Sequence, residues 1–162
     1  MTNLLRFSGL LAALFLSASV YAGDIQVENA WARATAPGQD AASVDLTITS
    51  KHAAALVGVS SVIARTAELH SMAMEGGMMR MREVAFIDLP AGKAMNLGES
   101  GYHLMLNGLK APLKEGQTVP LTLNIRTGKQ GVVKVKIRAE VKSLTAAPPQ
   151  KIEHRQMNMQ MN

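Results

Sequence analysis

The stretch GVVKVKIRAEVK, residues 131–142, carries the most regular pattern in this chain. From 133 to 141 the residues alternate between apolar and charged, and the apolar ones are Val133, Val135, Ile137, Ala139 and Val141. Because successive side chains of a strand point to opposite faces, this alternation predicts a strand with one buried and one solvent-facing side. A similar alternation recurs at residues 119–125 and 44–48.

Other strand signals lie between and before these three. Ile25, Val27 and Trp31 fall in one short run, which ends at the turn residues 36–38. Residues 55–63 form another β-rich run. No stretch after residue 22 combines an apolar period of 3.6 residues with caps at both ends. Many short strands separated by Gly and Pro predict an all-β antiparallel sandwich or barrel.

The first 22 residues have the pattern of an export signal. Arg6 supplies a positive charge, residues 10–16 form an apolar run, and Val20-Tyr21-Ala22 offers a cleavage site. The apolar run is too short to span a membrane, and no cysteine lies at the cleavage site to carry a lipid. We therefore expect a signal peptide at 1–22, cleavage after Ala22, and a soluble periplasmic protein without stable membrane insertion.

The remaining residues are enough for one domain, expected at 23–144. A Pro-containing linker and a polar, methionine-dotted tail follow at 145–162, and we expect this tail to be flexible. The net charge of +5 is scattered, without basic runs interleaved with aromatic residues, so nucleic-acid binding is not expected. The chain has no cysteine, which excludes a thiolate nucleophile, a redox-active cysteine pair and a blue-copper thiolate ligand.

Residues 70–105 concentrate side chains that bind soft metals. They hold two of the four histidines and seven of the eleven methionines. Thioether sulfur selects Cu(I), and imidazole binds copper in either oxidation state. Zinc, calcium and magnesium prefer thiolate, imidazole or hard oxygen ligands. The composition of this segment therefore points to copper.

Strand alternation groups the candidate ligands by face. Leu104 and Leu106 would point to the core, which leaves His103 and Met105 together on the other face. By the same alternation His70 shares a face with the methionines at 72 and 74.

A second hairpin strand would complete the group. Alternation separates Met79 and Met81 from Arg80 and Arg82, and Gly76-Gly77 predicts a tight connection that returns Met81 toward the preceding strand. Three strand segments would then present His70, Met81, His103 and Met105 at one shallow surface site.

The alternative interpretation is that the methionines pack in the core, where methionine fills irregular gaps. We favour this interpretation for Met78, Met79 and Met95 taken singly, and we expect His52, beside Lys51 in a turn, to be solvated. The strand pattern alone leaves the copper site and the packing interpretation evenly balanced.

The spacing of the candidate ligands resembles a known motif. His70, ten residues, Met81, twenty-one residues, His103, one residue and Met105 match the pattern H-x10-M-x21-H-x-M of the PCu(A)C family of periplasmic copper chaperones. Four further segments are similar to that family: Trp31-Ala32-Arg33-Ala34, Leu89-Pro90-Ala91-Gly92, residues 101–106 and the stretch from Gly108-Leu109 to Pro120-Leu121-Thr122-Leu123. Asp45 departs from the pattern of this family, whose sequences tend to carry an aromatic residue at that position.

The resemblance implies a cupredoxin-like Greek-key β-sandwich that binds Cu(I) through His70, Met81, His103 and Met105. It also implies that the protein delivers copper toward the binuclear centre of the cytochrome c oxidase copper subunit, or to another copper chaperone. We expect a monomer. The sequence shows neither a candidate catalytic carboxylate pair nor the His-rich pattern of a multicopper enzyme. We therefore expect no catalytic residues and no enzymatic activity.

The tail offers a secondary metal site at His154, Met157, Met159 and Met161. A His/Met-rich extension in this family can hold additional copper, and Cu(II) is a further candidate ion for it. The alternative is a dispensable tail.

Other classes of protein can be distinguished by the metal ligands that each would need. An electron-transfer cupredoxin needs a cysteine thiolate, and the chain has none. A periplasmic copper buffer or resistance protein would share the same ligands, and an exported interaction module would bind no metal. These two alternatives stay open on the sequence.

Overall fold

The computed structural model describes residues 20–128 and 131–145, and the regular elements in these ranges are all β-strands. They are β1 Val20–Ala22, β2 Ile25–Arg33, β3 Ala41–Ser50, β4 Ala54–Ser60, β5 Thr66–Glu75, β6 Met78–Glu83, β7 Ile87–Leu89, β8 Ala94–Leu97, β9 Tyr102–Asn107, β10 Thr118–Thr127 and β11 Gly131–Lys142. The all-β prediction is confirmed. No helix in the described ranges is long and apolar enough to cross a membrane.

The eleven strands form one hydrogen-bonded sheet in the order β6-β5-β9-β3-β2-β11-β10-β4-β7, with β1 paired to β2 and β8 to β3. Among the pairings of described strands, only β11 with β2 is parallel. Buried side chains from both ends of this path, such as Leu69 of β5 and Ile87 of β7, belong to one apolar cluster. The sheet therefore curls around a common core.

The strand alternation at residues 131–142 is reproduced in the structure. Val135, Ile137, Ala139 and Val141 are 5% exposed or less, while the charged residues between them face outward. β11 pairs along its length with β10, so that Val135 lies opposite Leu123. Apolar residues thus meet across the strands on the inner face, which is the arrangement that stabilises an antiparallel pair.

One local prediction differs from the structure, and two strands have no matching prediction. The β-rich run at 55–63 leaves the sheet after Ser60, where the Ser61 hydroxyl donates a hydrogen bond to the carbonyl of Pro120 at 2.7 Å. Strands β7 and β8 were not predicted, because three and four residues are too few to show a period.

The predicted domain limits stay predictions. β1 covers the last three residues of the predicted signal peptide and pairs Val20 with Val27. Cleavage after Ala22 would remove β1 but leave β2 bonded to β3 and β11. Residues 1–19, 129–130 and 146–162, which include His154, Met157, Met159 and Met161, lie outside the described residues.

Leu104 offers a test of the core beneath β9. It is 0% exposed and lies between His103 and Met105. Leu104→Ala should lower the free energy of unfolding by about 2–5 kcal/mol, because the cavity cannot fully collapse. Urea unfolding followed by circular dichroism measures this loss. Val62→Ala, at a side chain 72% exposed, serves as the control and should change stability by about 0.5 kcal/mol or less. Equal effects of the two substitutions would contradict this account.

Candidate metal site

The two central histidines face each other across neighbouring strands. His70 of β5 and His103 of β9 are direct partners in the antiparallel register. Directly opposed residues share one face of the sheet, with Cβ atoms about 4.5–5.5 Å apart. The structure therefore brings these imidazoles together although thirty-two residues separate them in the chain.

The two predicted methionine ligands lie on the same face. Met105 is two residues beyond His103 and faces Glu68, while Met81 of β6 faces Met72. Each is thus a diagonal neighbour of His70, at a separation of about 7–8 Å that long side chains can span. All four residues of the predicted ligand set share one face of the three strands β6, β5 and β9.

The β5–β6 hairpin makes this arrangement possible. The predicted tight connection forms at Gly76 and Gly77, whose φ angles of 58° and 80° lie in the left-handed region that favours glycine. The turn returns β6 beside β5, so Met81 lies one strand away from His70. This part of the prediction is confirmed.

Glu68 orients the first imidazole. Its carboxylate lies 3.0 Å from Nε2 of His70, and this hydrogen bond lowers the pKa of the Glu68 carboxyl below its ordinary value. An ionised carboxylate can only accept a hydrogen bond, so Nε2 is the protonated nitrogen. In the neutral imidazole, Nδ1 then carries the lone pair.

Nδ1 of His70 is buried and makes no hydrogen bond. A buried polar atom without a partner is costly, and it calls for an explanation such as an ion. Together with the nearby thioethers of Met81 and Met105, this lone pair fits a soft monovalent cation. Among the described residues, His, Cys, Asp and Glu side chains form no group of three or more that could hold a metal ion.

The expectations for single residues have mixed outcomes. The packing interpretation is wrong for Met78 and Met79, which are 59% and 64% exposed on the edge strand β6. It is confirmed for Met95, which packs partly buried against the core. His52 is solvated as expected, with its side chain 67% exposed.

Two acidic residues beside the histidines were not predicted to have a role. Glu68 is two residues before His70, so the strand alternation that grouped the candidate ligands also places Glu68 on their face. Asp45 of β3 is half-buried; burial raises the pKa of its carboxyl, and the nearby His103 opposes that rise. A Cβ atom at Gly98 would lie 2.7 Å from the Asp45 carboxyl carbon, so the backbone at Gly98 packs directly over this group.

Solved structures of other proteins share this fold. The copper-bound PCuAC domain from PmoF2 matches with a TM-score of 0.62 at 23% identity, over 78% of this chain and 98% of that chain. Cu(I)-bound DR1885 from Deinococcus radiodurans matches with a TM-score of 0.55 at 32% identity, over 70% of this chain and 75% of that chain. The chain has the predicted cupredoxin-like fold of these domains.

A family model described as "Putative lipoprotein LpqE-like" matches residues 25–137. The "Putative lipoprotein Lxx21020" of Leifsonia xyli subsp. xyli is 36% identical over 118 residues, which is 72% of this chain and 71% of that protein. The chain belongs to the LpqE-like family.

On the predicted ligand set, Glu68→Ala should weaken Cu(I) binding by about 10- to 100-fold, because it removes the hydrogen bond that orients the imidazole of the predicted ligand His70. Competition with a Cu(I) chelator under anaerobic conditions measures the affinity. Glu83→Ala is the matched control, since Glu83 is the direct partner of His70 on β6 but its carboxylate makes no hydrogen bond with that ring in the described part of the chain. Equal affinity losses in the two variants would indicate a general charge effect and contradict a positioning role for Glu68.

Asp45→Asn should raise the free energy of unfolding at pH 7. The pKa of Asp45 is raised in the folded state, so its ionised form destabilises the fold at a pH above that value. The cost disappears as the pH falls through the folded pKa toward the unfolded one, and the gain from Asp45→Asn should shrink with it.

Urea unfolding at pH 7 and pH 4 measures the pH dependence of this gain. Asp88→Asn, at an exposed position of β7, is the control and should have little effect at either pH. A loss of stability for Asp45→Asn at pH 7 would show that the carboxylate makes a net favourable contribution.

Proposed function

We propose that this protein is a periplasmic copper chaperone that carries Cu(I) on His70, Met81, His103 and Met105. The observation that carries the proposal is the direct cross-strand pairing of His70 with His103, with both methionines diagonal to His70 on the same face. The 32% identity to a protein whose structure contains Cu(I) supports the same cargo.

The four ligands have different tasks in this proposal. The imidazoles set the affinity, and Nδ1 of His70 is the donor atom because Glu68 accepts a hydrogen bond from Nε2. The thioethers of Met81 and Met105 give preference to the reduced ion, since sulfur is a soft ligand. Copper is the cargo here, and no bond in a substrate is made or broken.

Transfer to an acceptor proceeds by ligand exchange. Met81 is 48% exposed, so an incoming ligand can reach the ion from its side and replace this thioether first. His70 has a side chain only 17% exposed and would release the ion last. An order of release from the exposed to the buried ligand lets the acceptor take the ion without its passing through water.

The proposed acceptor is the copper subunit of cytochrome c oxidase, or a second copper chaperone that supplies it. A copper buffer or resistance protein would use the same four ligands without a dedicated acceptor. Deletion of the gene separates the two: a chaperone predicts loss of oxidase activity that added copper restores, whereas a buffer predicts copper sensitivity with normal oxidase activity.

Two further parts of the proposal concern the ends of the chain. The lipoprotein description of the family, with the export signal at 1–22, supports an exported protein. The tail residues His154, Met157, Met159 and Met161 are proposed as a secondary copper site, with Cu(II) as a further candidate ion.

Anaerobic Cu(I) titration of the chain from Gly23 onward, against a competing chelator, tests the main site. We expect one tight site per molecule, lost when all four proposed ligands are replaced by alanine. His52→Ala/Met78→Ala is the matched control, because it removes one histidine and one exposed methionine outside the site. A quadruple variant that keeps tight binding would reject these four ligands, whereas a wild-type protein without tight binding would reject the site and favour an exported interaction module.

A further inference from the structure

The end of the β5–β6 hairpin carries a second pair of methionines. Met74 and Met79 are direct cross-strand partners, and the next pair toward the histidines is Met72 with Met81. Met74 is 66% exposed and Met79 is 64% exposed. The proposed copper ligands use only Met81 from these four residues, so the function proposed above leaves the outer pair unexplained.

The exposure of these side chains is unusual for methionine, which normally fills gaps in a core. Every residue of the edge strand β6 is exposed, and Met74 on β5 is exposed as well, so neither methionine contributes to folding through burial. Simple solubility does not account for them either, because an exposed edge strand is better protected by charged side chains. The position therefore favours a role for the thioether itself.

The two faces of the hairpin have different chemistry. On the face away from the histidines, Glu75 forms ion pairs with Arg82 at 2.6 Å and Arg80 at 3.8 Å. The face shared with the histidines carries the two methionine pairs. The thioethers are thus concentrated on the face that leads to the proposed copper site.

The geometry of a cross-strand pair suits a soft ion. Cβ atoms of directly opposed residues lie about 4.5–5.5 Å apart, and the sulfur of methionine is two bonds beyond Cβ on a flexible chain. The sulfurs of Met74 and Met79 can therefore converge on one ion from opposite strands. Without an imidazole, such a pair would bind more weakly than the four-ligand site and release its ion faster.

We propose that Met74 and Met79 form a second, weaker subsite for a soft monovalent cation, through which Cu(I) enters and leaves the histidine site. The ion passes from this pair to Met72 and Met81 and then to His70, with each thioether replaced by the next and no change in oxidation state. The proposal rests on the proposed function for the identity of the cargo, and on the hairpin geometry for the subsite.

Methyl NMR of methionine-labelled protein tests the subsite residue by residue, with signals assigned by single Met→Leu variants. Ag(I) serves as the probe, because it is a soft monovalent ion that does not change oxidation state under these conditions. In the His70→Ala/His103→Ala variant, Ag(I) should shift the methyl signals of Met74 and Met79. Met78 is the internal control: it is 59% exposed on the same strand but lies on the opposite face, so its signal should not shift.

A second measurement covers the case in which the double histidine variant does not fold. In wild-type protein, Ag(I) added beyond one equivalent should shift the signals of Met74 and Met79, and the shift of Met79 should be lost in Met74→Leu, which removes its partner thioether. The Met74→Leu/Met79→Leu variant should keep the tight site but release Cu(I) to a chelator more slowly than wild type.

Unshifted signals of Met74 and Met79 would overturn the subsite, and so would an equal shift of Met78, which would indicate unselective binding to exposed thioethers. These outcomes leave the proposed function intact, because the tight site is read separately from the Cu(I) titration. Conversely, a Cu(I) titration that finds no tight site in the wild-type protein would reject the proposed function. The methyl signals would still report whether Met74 and Met79 bind Ag(I).

Discussion

The antiparallel register between β5 and β9 is the constraint on which the candidate site depends. Leu69 faces Leu104 on the inner side of this pair, and both are 3% exposed or less. A slip of one residue would turn these leucines to solvent and the histidines to the core, at the cost of several buried side chains. Burial on one face therefore keeps His70 and His103 together on the other, although neither histidine belongs to the buried apolar cluster.

The position of the hairpin at the edge of the sheet explains why the site combines a rigid part with an accessible part. β9 lies between β3 and β5, so His103 and Met105 are on a strand bonded on both sides. Met81 is on β6, the last strand of the sheet in the described ranges, and its side chain is exposed. The proposed role as a cargo site needs both properties, because rigid ligands select an ion and exposed ligands let an acceptor reach it.

The two carboxylates near the histidines, Glu68 beside His70 and Asp45 beside His103, have pKa values shifted in opposite directions. Glu68 is stabilised as a carboxylate by its hydrogen bond with His70, and its pKa is lowered. Asp45, under the backbone at Gly98, is destabilised as a carboxylate by burial, and its pKa is raised. The first arrangement orients a ring, whereas the second retains a partly desolvated acidic group beside His103.

The sequence was enough to predict the strand class of the fold and the face of each candidate ligand within its own strand, because side-chain direction along a strand follows a local period of two. It also indicated the hairpin, through Gly76-Gly77. The sequence did not predict that His70 lies opposite His103, or that Met78 and Met79 are exposed; both follow from the folded arrangement of the strands. Cross-strand partners and edge positions depend on how strands distant in the chain bury a shared core, which no local pattern records. The same reason applies to Asp45, whose surroundings come from the distant Gly98 and His103.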